Sequence, residues 1–536
     1  MGLTQRRHDG FVNPILASKM LSRRALTVLA LVTVTAVVFL ISSRRLGADW
    51  AIEGPNYHPF QQGHGPPTPP GPPGSSPSGG PGGRPPPPGP PPPGGKPDKP
   101  SPEDDRQAQH NVTNQDIPYR PHDPICDTFP DTSNILVIMK TGATESFDKV
   151  PTQLMTMLKC LPEFFIFSDL DQTIANYHIR DSLDSVLPDA MDGNKDFDLY
   201  RRQKACQADQ QSCNKLAVSK DEGWNLDKYK NVHIAEKTYH MRPNYDWYVY
   251  IDADTYVLWP TLVQWLKKLN PKNKHYLGSV TMIRNFIFGH GGSGYIISQA
   301  AHRDMIAGKE KVGNQWDVRA SKECCGDYIF ALAMKENADV DVHNVWPTIN
   351  GEKPFTLPYG PTHWCHPIVT MHHMNAEEIS TFWEFEHERY ADPSLPSPPP
   401  VMRIKDIYHR FFAPKMIPER ADWDNLADDR FYLDEAANKH DDTQLSRAKL
   451  DDLSSEEKEA HKSFGQCRKA CEADQNCFSF QYRDGVCGFS WAFKLGHPVR
   501  KESQEEKRRM SGWDVRKINS WIEKQGECGP VKWPDV

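Results

Sequence analysis

The sequence predicts an α/β fold with a mostly parallel central sheet, followed by a small disulfide-rich α+β module. Two apolar runs, 135–139 and 164–167, flank a helical stretch that reaches Leu158. Strand, helix and strand at that spacing make a βαβ unit with a right-handed crossover. A third run, Trp247 to Ile251, is apolar or aromatic throughout and breaks into Asp252-Ala253-Asp254, as a buried parallel strand does at its polar rim. Towards the C-terminus Cys467, Cys471, Cys477 and Cys487 crowd around the strand-like run 478–482. Cysteines that close staple a small module, and their pairing stays open.

The chain has 536 residues, room for two or three domains, and 38% hydrophobic content with 14 Trp supplies a sizeable core. A net charge of −7 and the lack of a basic stripe interleaved with aromatics give no argument for nucleic acid, and no nucleic-acid partner is expected. Residues 1–24 form a basic tail. Residues 25–41 are uncharged and mostly apolar, bracketed by Arg23-Arg24 and Arg44-Arg45. At about 1.5 Å each they reach roughly 25 Å, adequate for a thin early-secretory bilayer. The long preceding tail and the missing small-x-small site before Arg44 argue against a cleaved signal peptide. Lys and Arg number five before the segment and two just after, which keeps the N-terminus cytosolic. The expectation is one membrane-anchoring helix of type II, with the bulk of the chain lumenal.

Residues 42–117 then form a stem. Its 54–102 portion is rich in Pro, Gly and Ser, with Pro at 85–88 and 90–93, and such a chain extends rather than buries a core. Glycine does not recur at every third position, so collagen is excluded. Asn111-Val112-Thr113 is a glycan acceptor sequon. Twelve cysteines suit an oxidising lumen, with Cys206/Cys213 and Cys471/Cys477 spaced as disulfides. No Cys-x-x-Cys pair accompanies them, which argues against zinc.

The main domain is expected over 118–420. Its first strand leads into Lys140-Thr141-Gly142 and its second ends in Ser168-Asp169. Residues 188–230 are polar and read as an insertion with some helix. After the Trp247 strand, Pro260 suits a first helical position and Leu262, Leu266 and Leu269 carry a helical stripe. A short strand is expected near Tyr276 to Val280, another at 369–371 ending in His372-His373, and a helix from Asp327 through Lys335. Residues 421–462 read as an acidic helical linker. The module spans 463–536 and ends in a helix carrying Val515, Ile518 and Trp521.

Chemistry gathers where strands end, because ligands of open α/β sheets bind at the carboxyl edge. Side chains on an extended backbone alternate with period two, so Asp252 and Asp254 are expected on one side. Hard carboxylate oxygens in that arrangement suit Mg²⁺ or Mn²⁺ against a diphosphate. An EF-hand is excluded: its sixth loop position would be Val257 rather than Gly, and its twelfth Val263 rather than Glu. Gly289-His290-Gly291-Gly292-Ser293-Gly294 formally matches Gly-x-Gly-x-x-Gly, but it lies mid-domain rather than in the first βα turn. Those glycines either let backbone approach a flat ligand or make a tight turn. A carboxylate at a helix start, such as Asp327, is by default a cap, while a histidine ending a strand beside Asp-x-Asp, such as His372, is a candidate ligand.

Four stretches in order resemble the β-1,3-galactosyltransferase and Fringe family of glycosyltransferases (family 31): 247–257, 291–298, Cys324-Cys325-Gly326-Asp327, and Thr370-Met371-His372-His373. The resemblance covers roughly Ile135 to Glu386. It is strongest to fungal members and extends more distantly to core 1 β-1,3-galactosyltransferase. Residues 463–528 separately resemble a PAN/apple module. The family resemblance implies a GT-A, Rossmann-like domain anchored in the Golgi or ER/Golgi membrane. It also implies a UDP-sugar donor, a glycan or glycoprotein acceptor, and Mn²⁺ (or Mg²⁺) as cofactor. By position it implies Asp254 and His372 as metal ligands and Asp327 as catalytic base. Thr141, Asp169, Asp252, Gly292 and Gly294 would serve donor binding. Ala253 stands where the family commonly has the middle aspartate of three, and Gly326 where a glutamate often precedes the base.

The implied reaction is inverting transfer of a hexose, galactose by resemblance, in β-1,3 linkage. A glycoside hydrolase needs two carboxyls flanking one bond about 5–9 Å apart, which two aspartates on one side of one strand do not provide. A carbohydrate-binding or adhesion protein with a degenerate transferase domain is the alternative from another class.

Overall fold

The computed structural model describes residues 120–214, 220–396, 398–434 and 440–536. The expected cytosolic tail, anchor helix, stem and Asn111 sequon lie outside the described residues. Among the described residues no helix is long and apolar enough to cross a membrane.

In chain order the first strands are β1 (Ile135–Lys140), β2 (Phe164–Ser168), β3 (Gln172–Ile174), β4 (Tyr177–Asp181), β5 (Trp247–Asp252) and β6 (Tyr256–Val257). They are followed by β7 (Tyr276–Gly278), β8 (Val280–Ile283), β9 (Phe286–Gly289), β10 (Tyr295–Ser298), β11 (His343–Asn344) and β12 (Thr370–Met371). Eight of them make one sheet in the order β11-β7-β10-β5-β1-β2-β4-β3. The centre, β5-β1-β2-β4, is parallel, and β10 enters antiparallel between β5 and β7. The expected mostly parallel α/β sheet is present.

Period two explains why these strands are apolar without interruption. Ile135, Val137 and Met139 enter one core with Val249 and Ile251, while Leu136 and Ile138 enter the opposite core with Tyr248 and Tyr250. Both faces are covered, as parallel strands require. Helices α1 (Ser146–Met155) and α3 (Trp259–Leu266) pack on the first face; α2 (Lys230–Met241) and α4 (Gly326–Ala338) pack on the second. Helix α1 stops at Met155, short of Leu158, and the chain turns through 156–160 before β2. Cys126–Cys160 ties the entry segment to that turn, and Cys206–Cys213 closes within the helical insertion.

Register sets the functional edge. Lys140, the last residue of β1, stands beside Asp252, the last residue of β5, and beside Phe167 of β2. The polar ends of three neighbouring strands therefore come out together at one rim.

The C-terminal region departs from expectation. Residues 421–462 are not a helical linker. Three strands lie at its start, β13 (Glu419–Ala421), β14 (Trp423–Asp424) and β15 (Arg430–Leu433), and the helices Asp442–Ser446 and Ser455–Glu459 come only later. β13 and β15 join β16 (Ser479–Arg483), β17 (Val486–Ser490) and β19 (Met510–Trp513) in a five-stranded antiparallel sheet, while β14 pairs with β18 (His497–Pro498). The apolar triad Phe431, Tyr432 and Leu433 is buried there, a gain that outweighs the acidic neighbourhood. Helix α5 (Phe464–Ala473) covers the sheet, and Cys467–Cys487 and Cys471–Cys477 staple it.

This module does not stand apart. Phe478, Phe493, Trp513 and Ile518 belong to the same core cluster as β1 and β5. Phe493 exchanges two backbone hydrogen bonds with Tyr359, and Trp521, on helix α6 (Val515–Gln525), meets Trp364 edge-on at 5.4 Å. Cys365–Cys528 adds a covalent tie across 163 residues of chain.

Candidate active site

Above the strand ends lies a cleft of about 870 Å³, within the usual range for a small-molecule site. Its floor includes Lys140, Thr141, Asp169, Asp252 and Asp254; its walls include Gly291, Gly292, Asp327, His372 and His373. Seven of the eight residues singled out from the sequence thus open into one cleft. Gly294 is the exception. It stands at φ +81° in the turn before β10, where its N–H donates to the Gly291 carbonyl and a Cβ would press on the Tyr250 carbonyl at 3.2 Å. Its glycine is required by the turn, and it does not line the cleft.

Asp252 and Asp254 are also arranged differently from expectation. Strand β5 ends at Asp252, and Ala253-Asp254 form a turn before β6. The two carboxylates therefore do not alternate along one strand. Asp252 faces Lys140 at 3.5 Å, whereas Asp254 faces Lys149 and His372. The one-strand objection to a hydrolase falls with that premise. What separates the two aspartates now is their partners.

Asp254 is held on both of its carboxylate oxygens. His372 Nε2 lies 3.2 Å from Oδ1, and Lys149 Nζ lies 3.2 Å from Oδ2. Burial works against its charge, but His372 and Lys149 hold it far below the ordinary carboxylate range. The backbone arranges the meeting: β6 pairs antiparallel with β12, Tyr256 opposite Met371, so His372 and His373 emerge beside the Asp254 turn. The Met374 N–H donates to the Asp254 carbonyl at 3.0 Å. One ligand atom each from Asp254, His372 and His373 fall within 4.8 Å of one another.

That set fits a small divalent cation on two observations. The donors are carboxylate oxygen and imidazole nitrogen, a combination suited to Mn²⁺. Nδ1 of the buried His372 ring has no hydrogen-bond partner, an arrangement costly for a structural histidine and natural for a ligand. Gly292 makes the room, since a Cβ there would overlap the His372 ring. Burial lowers the proton affinity of His373 and of His290, whose ring meets His372 at 5.6 Å, so both favour the neutral form that a metal site prefers.

Asp327 lies across the cleft in the first turn of α4. Its carboxylate accepts the Gly291 N–H at 2.9 Å on Oδ2 and its neighbour's N–H at 2.9 Å on Oδ1. Burial pushes its proton affinity above the ordinary value despite those bonds. A carboxylate of raised basicity in a cleft is equipped to take a proton. Cys324 and Cys325, just before it, are joined as a disulfide, and Cys325 lines the cleft.

Asp169 and Thr141 sit deeper. Asp169 accepts the Ala143 N–H and lies 3.6 Å from the buried Lys230 ammonium, which also donates to the Thr141 carbonyl. Asp227 bridges Lys140 and Lys230. Burial opposes the charge of both lysines, yet Asp227 with Asp252, and Asp169 with Asp227, keep them protonated. Sequence reasoning missed Lys140, Lys149, Asp227, Lys230 and His290 as members of the cleft. Lys140 carried a signal, its place at the end of the first strand; Lys149 sits mid-helix and Asp227 inside the insertion, where nothing local marks them.

A family model described as Fringe-like matches residues 132–345. The segment contains the whole eight-stranded sheet together with Asp169, Asp252, Asp254 and Asp327, and stops before His372. No curated protein matches the chain. The matched family implies a glycosyltransferase, with a sugar donor and a glycan acceptor, and the mixed α/β sheet is consistent with its GT-A fold.

Proposed function

We propose that the chain is an inverting, metal-dependent hexosyltransferase that uses a UDP-sugar, galactose being the donor sugar that the sequence resemblance favours, to build a β-1,3-linked product on a glycan or glycoprotein. The observation that carries the proposal is the placing of Asp327, a buried carboxylate of raised basicity, in the same cleft as the Asp254–His372–His373 cluster. A base and a cation-holding site in one cleft are what displacement of a diphosphate at an anomeric carbon needs.

In this mechanism Asp327 accepts the proton of the acceptor hydroxyl as its oxygen bonds to the anomeric carbon. The bond from that carbon to the β-phosphate oxygen breaks, and its electron pair leaves with UDP. Asp254 and His372, with His373 beside them, would hold the divalent cation, which as a Lewis acid offsets the charge growing on the diphosphate. Lys140 and Asp252 supply fixed charges of opposite sign at the donor end. Gly291 ties the two halves together by donating its N–H to Asp327 while its neighbour Gly292 backs His372.

The six disulfides among the described residues use all twelve cysteines of the chain, which supports a lumenal site of action. A single-pass type II Golgi or ER/Golgi protein anchored by residues 25–41 completes the proposal. The PAN/apple-like module serves as a brace in this scheme, since its aromatic residues share the catalytic core.

The test is to incubate the full chain with a panel of UDP-sugars in Mn²⁺ and in EDTA. Turnover of one sugar that EDTA and Asp254→Asn abolish is the expected result. Donor turnover indifferent to both treatments would remove the metal-dependent mechanism.

A further inference from the structure

Lys149 is unusual among the cleft's cations because it sits on the candidate metal ligand itself. Its ammonium lies 3.2 Å from Asp254 Oδ2 and 2.8 Å from Glu145 Oε2, one helical turn back. The position is fixed rather than incidental. One turn further along α1, the Gln153 side-chain amide donates to the carbonyls of Ala253 and Thr255, at 2.9 and 3.0 Å, gripping the Asp254 turn on both sides. The helix is thereby held against the loop at the spacing that brings Lys149 to Asp254.

From this geometry we infer that Lys149 is an internal counter-ion which competes with the divalent cation for Asp254, and which turns to the nucleotide diphosphate once the cation is bound. The inference rests on the metal-dependent reading of the cleft. Lys149 and His372 each meet one of the two Asp254 oxygens. A divalent ion on the same carboxylate repels the ammonium, which retains Glu145 as its partner. Both Lys149 and Glu145 line the cleft, so the released ammonium faces the space where a diphosphate bound to the ion would lie. Its charge is then of the right sign for the leaving group.

Competition and hand-over have opposite consequences for one variant. Lys149→Met removes the competitor, so Mn²⁺ binding measured by calorimetry without nucleotide should tighten, by about 1.5- to 5-fold for a partly exposed pair. UDP binding at saturating Mn²⁺ should weaken, by about tenfold for a lost charge-assisted contact. Glu145→Gln removes the second partner, leaves the ammonium wholly on Asp254, and should weaken Mn²⁺ binding in the absence of nucleotide. Lys149→Arg keeps the charge and should stay near wild type. Mn²⁺ affinity unchanged or reduced in Lys149→Met, or a shift of Mn²⁺ and UDP affinity in the same direction, overturns the inference while leaving the transferase proposal standing. A wild-type chain that takes up no Mn²⁺ overturns both.

Discussion

Gly292 and His372 interlock: the histidine ring fills the space in which any side chain at position 292 would have to lie. A glycine on one loop and a candidate ligand 80 positions later are thus a single steric unit. Thr255, next to Asp254, completes it by donating its hydroxyl to the Gly292 carbonyl at 2.7 Å.

Gly292→Ala should therefore act on the metal rather than on the fold. The ring of His372 has to move, and misplacing a ligand costs about 10–100-fold in metal affinity. Mn²⁺ titration by calorimetry checks this, with the melting temperature as a control. An unchanged Mn²⁺ affinity would show that His372 is not a ligand.

Asp327→Asn should lower transfer about 10²–10⁴-fold while UDP and Mn²⁺ binding stay intact. In the wild type the base must be ionised, and burial raises its proton affinity. The rate should thus rise with pH through a point above the ordinary carboxylate range, then level off. A profile flat down to the ordinary carboxylate range would assign the base elsewhere.

Glu386 gives a stability signature independent of the chemistry. It is buried with only the Tyr256 hydroxyl and the nearby Arg389 to help it, and burial pushes its carboxyl up to about 7. A raised acid favours the protonated fold: its contribution is complete below the unfolded value near 4.5 and is lost as pH rises through about 7. Glu386→Gln should match wild type at low pH and exceed it in alkali, by about 3 kcal/mol at most. Thermal melts at the two pH values decide the matter; an equal gap at both would refute it.

The Cys365–Cys528 bridge closes a loop of 163 residues, worth about 5 kcal/mol in the chain-entropy account. The double serine variant should melt on the order of 5 °C lower. Because the module and the main sheet share one core, both should unfold together; a module that melts alone would contradict the shared core.

Much of the fold was legible because burial leaves a period in the sequence. β1, β2 and β5 are continuous apolar runs since both of their faces are covered, and helix α3 announces itself through Pro260 and its leucine stripe. The acids at the strand ends were legible for the same reason, as charge cannot continue into a two-sided core. The short strands β13 and β15 were hidden: the polar run 419–421 and three apolar residues amid acids at 431–433 look like helix or loop until a distant partner, β19 or β17, supplies their hydrogen bonds.

The sequence by itself therefore determined the α/β class, the carboxyl edge of the sheet, and the identities of Asp254, His372 and Asp327 as residues to watch. Only the tertiary structure decided who faces whom. Asp252 and Asp254 part company because a turn, not a strand, joins them. His372 reaches Asp254 because β12 pairs with β6 across more than a hundred residues, and Lys149 arrives because Gln153 grips the loop. Periodicity is local and survives in the sequence, whereas pairing between distant segments depends on register, and register exists only once the chain has folded.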